Sequence, residues 1–269
     1  MGRFSVLFTL VAASILTLCG CGGVSPSGGG TLNLFMSDAP LPEVTSLNIT
    51  IDRIEAHLDG QWIEIETEPQ TIDLLTLTQN ETMIGSAGVP SGTYTQIRLF
   101  VSEATVTDDT GTHDVTIPSA AQTGIKLNVN ATVDGSAVGI LMDFNVQKSL
   151  IRQGNGKYRL QPVIPVVLKD QAGSISGYAT YGGQMIKGVH VTATYTDGTN
   201  YPLGTEVNTS MSMVDGSFKL WALKEGVYKV DFFWEEGFVR LKGTVEDVVV
   251  TGGQNVDLGN VELTLEVGP

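Results

Sequence analysis

The chemistry open to this chain rests on three histidines, two cysteines and 29 carboxylates. His57, His113 and His190 stand far apart, and none has a second histidine or a carboxylate at metal-ligand spacing. His190 falls on the polar face of its strand and reads as a solvated surface residue. There is no Gly-x-Ser-x-Gly elbow, no His-Glu-x-x-His pair and no phosphate-cradling glycine loop. So few histidines leave a serine nucleophile short of a base. The pairs Glu64 with Glu66 and Glu235 with Glu236 have the residue types for acid–base work on a glycan, although an acidic surface produces such pairs by chance. Asp108-Asp109, Asp134-Gly135, Asp197-Gly198 and Asp215-Gly216 are turn sequences first. Calcium would need six or more oxygens converging from several loops. No catalytic residue, metal ligand or cofactor is assigned.

Aromatic residues offer a binding chemistry instead. Trp62 shares a strand face with Glu64 and Glu66, which should be the wet face; Tyr178, Tyr181 and Tyr201 lie in or beside loops. Exposed rings flanked by acids and amides suit sugars, whose C–H faces stack on rings while hydroxyls bond polar groups. The plainer reading of Trp62 is a ring covered by a neighbouring loop or by another domain. Trp221 and Trp234 fit the inward parity of their strands and are expected in the core.

The cysteines carry the sharpest signal. Arg3 is followed by Phe4 to Leu18, an uncharged, mostly apolar run. That is the pattern of a secretory signal, and it is too short for a comfortable membrane span. Leu18-Cys19-Gly20-Cys21 then resembles the bacterial lipobox, which implies cleavage before Cys21 and acylation of its thiol and new amino group. Cys19 fits less well, because Leu18 would occupy the small-residue site beside the cut. The alternative is an ordinary signal peptide cut nearby. Cytoplasmic myristoylation fails, since Val6 stands where Ser or Thr is wanted. Gly22, rather than Asp, follows the anchor, which in a two-membrane bacterium resembles the signal for transport to the outer membrane. Residues 1–20 would leave as signal peptide, and residues 21–30, mostly Gly and Ser after the cysteines, would be a flexible tether. The mature chain would keep no free thiol, hence no disulfide and no thiolate site.

The formal net charge is −14, and removal of Arg3 makes it one unit more negative. Such a surface repels phosphate backbones, so nucleic acid is not an expected partner. Hydrophobic residues at 42% are ample for packed cores. After Gly30, alternation and Gly/Asn/Asp turns replace helical periodicity, which reads as all-β. Strands are expected at 31–36, at 94–101, 104–107 and 113–117, and at 125–133, 138–144 and 158–168. Leu47, Ile49 and Ile51 alternate, and the parity then slips to Ile54 and Ala56, so a β-bulge is placed near Asp52-Arg53. Residues 73–77 fit a short helix or a strand equally.

The order of motifs here resembles a known family. Ser37-Asp38-Ala39-Pro40 follows the first strand; Trp62 and Ile72-Asp73-Leu74-Leu75 come next; then Val89-Pro90-Ser91-Gly92-Thr93-Tyr94, Gly124-Ile125-Lys126-Leu127, Asp143-Phe144-Asn145 and Leu160-Gln161-Pro162. This resembles the bacterial and archaeal lipoprotein family known as domain of unknown function 4382, over residues 30–170, and the first domain is placed at 31–170. The resemblance implies no activity. Where that family tends to read Asp-Phe-Asp, this chain has Asn145; a metal site built on the paired acid in relatives would be weakened here.

After the polar joint Lys169–Gly173, residues 171–269 alternate again. Gly188-Val189-x-Val191, Asp215-Gly216-Ser217-Phe218-x-Leu220 and Gly226-x-Tyr228-x-Val230 are similar to the carboxypeptidase-regulatory-like, prealbumin-type sandwich. Such modules are usually not catalytic. The expectation is therefore an all-β chain of two β-sandwich domains, Ig-like or prealbumin-like, behind a cleaved lipoprotein signal. It would be extracytoplasmic, anchored to a lipid bilayer through Cys21, in the outer membrane if there are two. Its role would be non-catalytic binding or scaffolding at the envelope, with a carbohydrate or an envelope protein as partner. The alternatives are a carbohydrate-binding surface lipoprotein through Trp62, Tyr178, Tyr181 and Tyr201, and a glycan-acting enzyme with paired carboxylates.

Overall fold

The computed structural model describes residues 29–118 and 123–266, so Cys21 and its tether lie outside the described residues. The chain is all-β. In the first domain the strands are β1 (Gly30–Ser37), β2 (Ser46–Leu58), β3 (Gln61–Glu66), β4 (Gln70–Asp73), β5 (Thr82–Val89) and β6 (Gly92–Asp108). They continue with β7 (Gly111–Thr116), β8 (Ile125–Val133), β9 (Ala137–Asp143), the single-turn helix α1 (Val146–Ser149), β10 (Leu150–Arg152), β11 (Tyr158–Leu160) and β12 (Val166–Leu168). One sheet runs β12-β9-β1-β5; the other runs β10-β11-β7-β6-β2-β3, with β4 on β2 and β8 on β6. Between them lie the fully buried faces of alternating strands, such as Leu47, Ile49 and Ile51, and Leu32, Leu34 and Met36.

The second domain has β13 (Gly173–Tyr181), β14 (Gln184–Met185), β15 (His190–Tyr195), β16 (Glu206–Met211), β17 (Ser217–Leu223), β18 (Gly226–Glu236), β19 (Val239–Val250), β20 (Asn255–Glu262) and β21 (Thr264–Leu265). A β14-β13-β17 sheet, with β20 parallel to β13, faces a β16-β15-β18-β19-β21 sheet. Their core holds Tyr195, Phe218, Leu220, Tyr228 and Phe232.

Both domains fasten a core tyrosine by the same local device. Tyr94 Oη donates to the Pro90 carbonyl at 2.9 Å, and Tyr228 Oη to the Lys224 carbonyl at 2.8 Å, each four residues back. Each tyrosine follows, two residues on, a glycine with positive φ: Gly92 at 150° and Gly226 at 147°. A Cβ on Gly226 would meet Tyr195 Oη at 2.3 Å, so only glycine fits. The burial of a phenol is thus combined with a partner for its hydroxyl.

The differences from the expected strands have physical reasons. The pairing of β2 with β6 shifts between Thr50 and Arg53, where the bulge was expected. Residues 94–107 form one long strand, because a strand that shifts register at its partner's bulge continues through it. Residues 158–168 are broken into β11 and β12, with Pro162 and Pro165 between them. Leu74–Leu77 is a 3-10 turn capped by Asp73, whose carboxylate accepts from Leu75 N. β5 was not expected, since Met-Ile-Gly-Ser-Ala-Gly lacks alternation; it is held by seven pairs to β1.

Candidate functional site

The densest group of buried polar side chains lies where the domains meet. β1 ends in Ser37 and is followed by Asp38; β9 ends in Asp143; Asn145 caps α1; β16 of the second domain brings Asn208, Thr209 and Ser210. All seven are at most 9% exposed. Asn208 is the link. Its Nδ2 donates to Asp143 Oδ2 at 2.6 Å and to the Trp221 carbonyl at 2.9 Å. Its Oδ1 accepts from Asn145 Nδ2 at 2.7 Å. Asn145 Nδ2 also faces the Thr209 carbonyl at 3.1 Å and Thr209 Oγ1 at 3.0 Å, while Asn145 Oδ1 caps α1 through Lys148 N. A carboxylate at 145 could not donate to these acceptors. The amide at 145 thus makes bonds across the junction that a carboxylate there could not.

Around this seam sits an apolar cluster of Leu141, Val167, Ala172, Trp221 and Ala222, with Phe35 against it. Trp221 reaches it by a bulge. Gly173 pairs with Leu223 and Ile175 with Leu220, so Ser174 faces both Trp221 and Ala222, and Ala222 takes φ of 50°. The indole turns outward to the first domain, where Nε1 donates to the Thr78 carbonyl at 3.0 Å. Lys219 Nζ lies 3.6 Å over the ring. Trp221 is thus buried against the first domain rather than in the core of its own, correcting the expectation from strand parity.

Two acids in the seam have unusual protonation. Burial pushes Asp143 up to about 6, against the opposing hydrogen bonds from Asn208 and Ser37. Burial raises Asp38 well above the carboxylate range, and the charges of Asp143 and Asp73 raise it further, against the amides of Val146 and Ala39. Asp38 Oδ2 has no partner among the described residues. A carboxyl that binds its proton more tightly folded than unfolded stabilises the fold at low pH, and that stability is lost as pH rises from the ordinary value of 3.8 to the folded one. Asp143 alone should make the chain about 1 kcal/mol less stable at pH 7 than at pH 5. Asp38→Asn, which removes a second buried carboxyl that binds its proton more tightly folded than unfolded, is expected to raise the denaturation midpoint at pH 7 and to flatten the overall slope. Denaturant titration at both pH values measures it; a slope unchanged by Asp38→Asn would contradict the assignment.

The outer surface of the junction is grooved. Loop 38–45 is pinned by Asp38 N to the Leu77 carbonyl at 3.3 Å and by Thr45 N to the Thr107 carbonyl at 2.8 Å. Three clefts share it. A cleft of about 350 Å³ is lined by Pro40, Leu41, Pro42, Val44, Leu75, Met213 and Val214 and is mostly apolar. A second, of about 500 Å³, is lined by Pro42, Glu43, Lys187, His190, Phe233, Trp234, Glu235 and Glu236. A third, of about 540 Å³, is lined by Leu41, Glu43, Asp108, Asp109, Arg152 and Tyr158.

The aromatic candidates are not gathered into these clefts. Trp62 is half-buried on β3, with the Arg98 guanidinium 3.7 Å over its ring and His57 at 4.8 Å. Tyr201 is half-buried and packs edge-on against Tyr195 at 5.2 Å. Tyr178 and Tyr181, on β13, remain 41% and 40% exposed. Trp234 packs against the second core and donates Nε1 to the Lys187 carbonyl at 3.1 Å. Glu66 Oε1 accepts from Thr67 N and Glu68 N, and Glu235 pairs with Arg240 at 3.1 Å.

His113 does have a carboxylate: Asp108 Oδ1 lies 3.0 Å from its Nε2, and Tyr158 Oη donates to Asp108 Oδ2 at 2.7 Å. Hydrogen bonds from Thr110 and Tyr158, then from His113, hold Asp108 well below the usual range. The pair spans the 108–111 hairpin, and that turn was the signal available in the sequence. Among the described residues, no three His, Cys, Asp or Glu side chains converge to hold a metal ion. No helix of the described residues is long and apolar enough to cross a membrane.

Residues 29–162 match the family model described as domain of unknown function (DUF4382). No curated protein matches the chain. Among solved structures, the chain is similar to the Bacillus anthracis TIE protein at 11% identity and a TM-score of 0.25, over 88% of this chain and 34% of that one. It thus spans about a third of the TIE protein's length. It is similar to BcpA, the major pilin subunit of Bacillus cereus, at 14% identity and a TM-score of 0.27, covering 88% and 70%. For the shaft pilin SpaA from Lactobacillus rhamnosus GG the figures are 8%, 0.26, 89% and 100%.

Proposed function

We propose that this chain, with its DUF4382 match over residues 29–162, is a lipid-anchored, extracytoplasmic scaffold that acts without catalysis. The observation that carries this is the seam. Two sandwiches joined by buried hydrogen bonds of side-chain amides and by a buried indole form one stiff body, suited to holding a surface at a fixed distance from a bilayer. The acids with raised protonation, Asp38 and Asp143, are shut inside that seam rather than set in a cleft where a substrate could reach them. The second domain is read as a carboxypeptidase-regulatory-like sandwich. In support, Asp215 accepts from Ser217 N at 3.0 Å in the hairpin turn, and Phe218, Leu220 and Tyr228 enter one core. Carbohydrate binding is the second reading, favoured by the half-exposed rings of Tyr178 and Tyr181.

Anchoring is tested by expressing the full chain in a lipoprotein-processing bacterium fed labelled palmitate. Label in the membrane-fraction protein is expected, and its loss in Cys21→Ala. An unlabelled wild-type chain released in soluble form would overturn the anchor.

A further inference from the structure

Three clefts adjoin around loop 38–45: one is mostly apolar, and the other two, which share Glu43, are lined by more carboxylates than cations. Val214, 79% exposed, lines the apolar cleft. Glu43 lines both acidic clefts. The first adds Glu235 and Glu236 against Lys187, and the other adds Asp108 and Asp109 against Arg152, three carboxylates to one permanent cation in each. Among the described residues, Glu43, Glu236 and Asp109 take part in no ion pair. The loop is pinned by backbone bonds at both ends, so the clefts are preformed and little ordering is needed on binding.

We propose that these adjoining clefts bind an extended segment of a partner protein in which an apolar side chain is flanked by lysine or arginine. The proposal rests on the scaffold reading and names what the scaffold holds. The apolar side chain fills the apolar cleft, and the cations meet the unpaired carboxylates of the two clefts beside it. Charge complementarity of this kind excludes acidic segments and gives binding that falls with salt.

The test uses the full chain in zwitterionic nanodiscs, with empty nanodiscs as reference, and fluorescent heptapeptides read by anisotropy. One peptide has a central leucine flanked by lysines. A second has glutamates for the lysines, and a third has serine for the leucine. Saturable binding of the first is expected, at least tenfold weaker for the other two. Glu43→Lys and Val214→Asp should each weaken it at least tenfold. Both positions are exposed, so an unchanged denaturation midpoint certifies the fold. Equal binding of the acidic peptide, indifference to both substitutions, or no binding of any peptide would overturn the proposal. So would a neutral oligosaccharide that binds the clefts where the peptides do not. A lipidated chain that unfolds as one body yet binds no peptide would overturn the clefts' assignment and leave the scaffold standing.

Discussion

Asn208→Ala is expected to lower the unfolding free energy by about 3–5 kcal/mol and to uncouple the two domains. The size follows from what is stranded. Asp143 Oδ2 loses its donor from the second domain, Asn145 Nδ2 loses an acceptor at 2.7 Å, and the Trp221 carbonyl loses a donor. All three lie in a region closed to water, where an unpartnered polar group costs its full desolvation. Asn208→Asp should be worse still, since it sets an acceptor against Asp143 and the Trp221 carbonyl. The tryptophans make the effect visible: Trp62 reports the first domain, Trp221 the junction and Trp234 the second. Wild type should give one denaturant transition by fluorescence and circular dichroism alike, and the variant two. A single, unshifted transition in Asn208→Ala would show that the amide does not couple the domains.

Trp221→Ala is expected to cost about 3–5 kcal/mol. The indole is 8% exposed and fills the space between Leu141, Val167, Ala172 and Ala222. Its removal opens a cavity between two domains, where rigid sheets on both sides limit collapse. Trp221→Phe separates the two contributions. It keeps most of the apolar contact but strands the Thr78 carbonyl, and should cost about 1–3 kcal/mol. A loss below about 1 kcal/mol in Trp221→Ala would mean that the cluster is not a packed interface. Both costs should appear together with altered coupling, because the groups removed belong to the junction and not to either core.

The sequence carried the fold class and left the junction hidden, for physical reasons. Period-2 alternation marks a strand with one buried face, and β2, β15 and β18 show it plainly. The register slip near Asp52 was visible because parity changes where a bulge inserts a residue. β16 has no such signature. Asn208, Thr209 and Ser210 are buried in succession, and the side chains of both Asn208 and Thr209 meet Asn145 of the first domain, so burial has no period to read. Asn145 stood out as a departure from the family pattern, but its partners lie 63 and 64 residues further on, beyond any local rule. Trp221 sits at a bulge whose strained residue is an alanine, not a glycine, and no residue type announced the change in direction. The His113–Asp108 contact was closer to hand, since five residues around a tight hairpin bring two side chains to one edge.

The measurement that bears most directly on a stiff two-domain body is the distance distribution between spin labels at Thr132→Cys and Val249→Cys in the full chain. Both positions are exposed and lie in strands, one in each domain, and the only native cysteines are Cys19 and Cys21, of which the proposed processing removes the first and acylates the second. A single narrow distribution is expected in wild type, broadening in Asn208→Ala. A broad or multiple distribution in wild type would mean that the domains move independently, and would contradict the rigid scaffold.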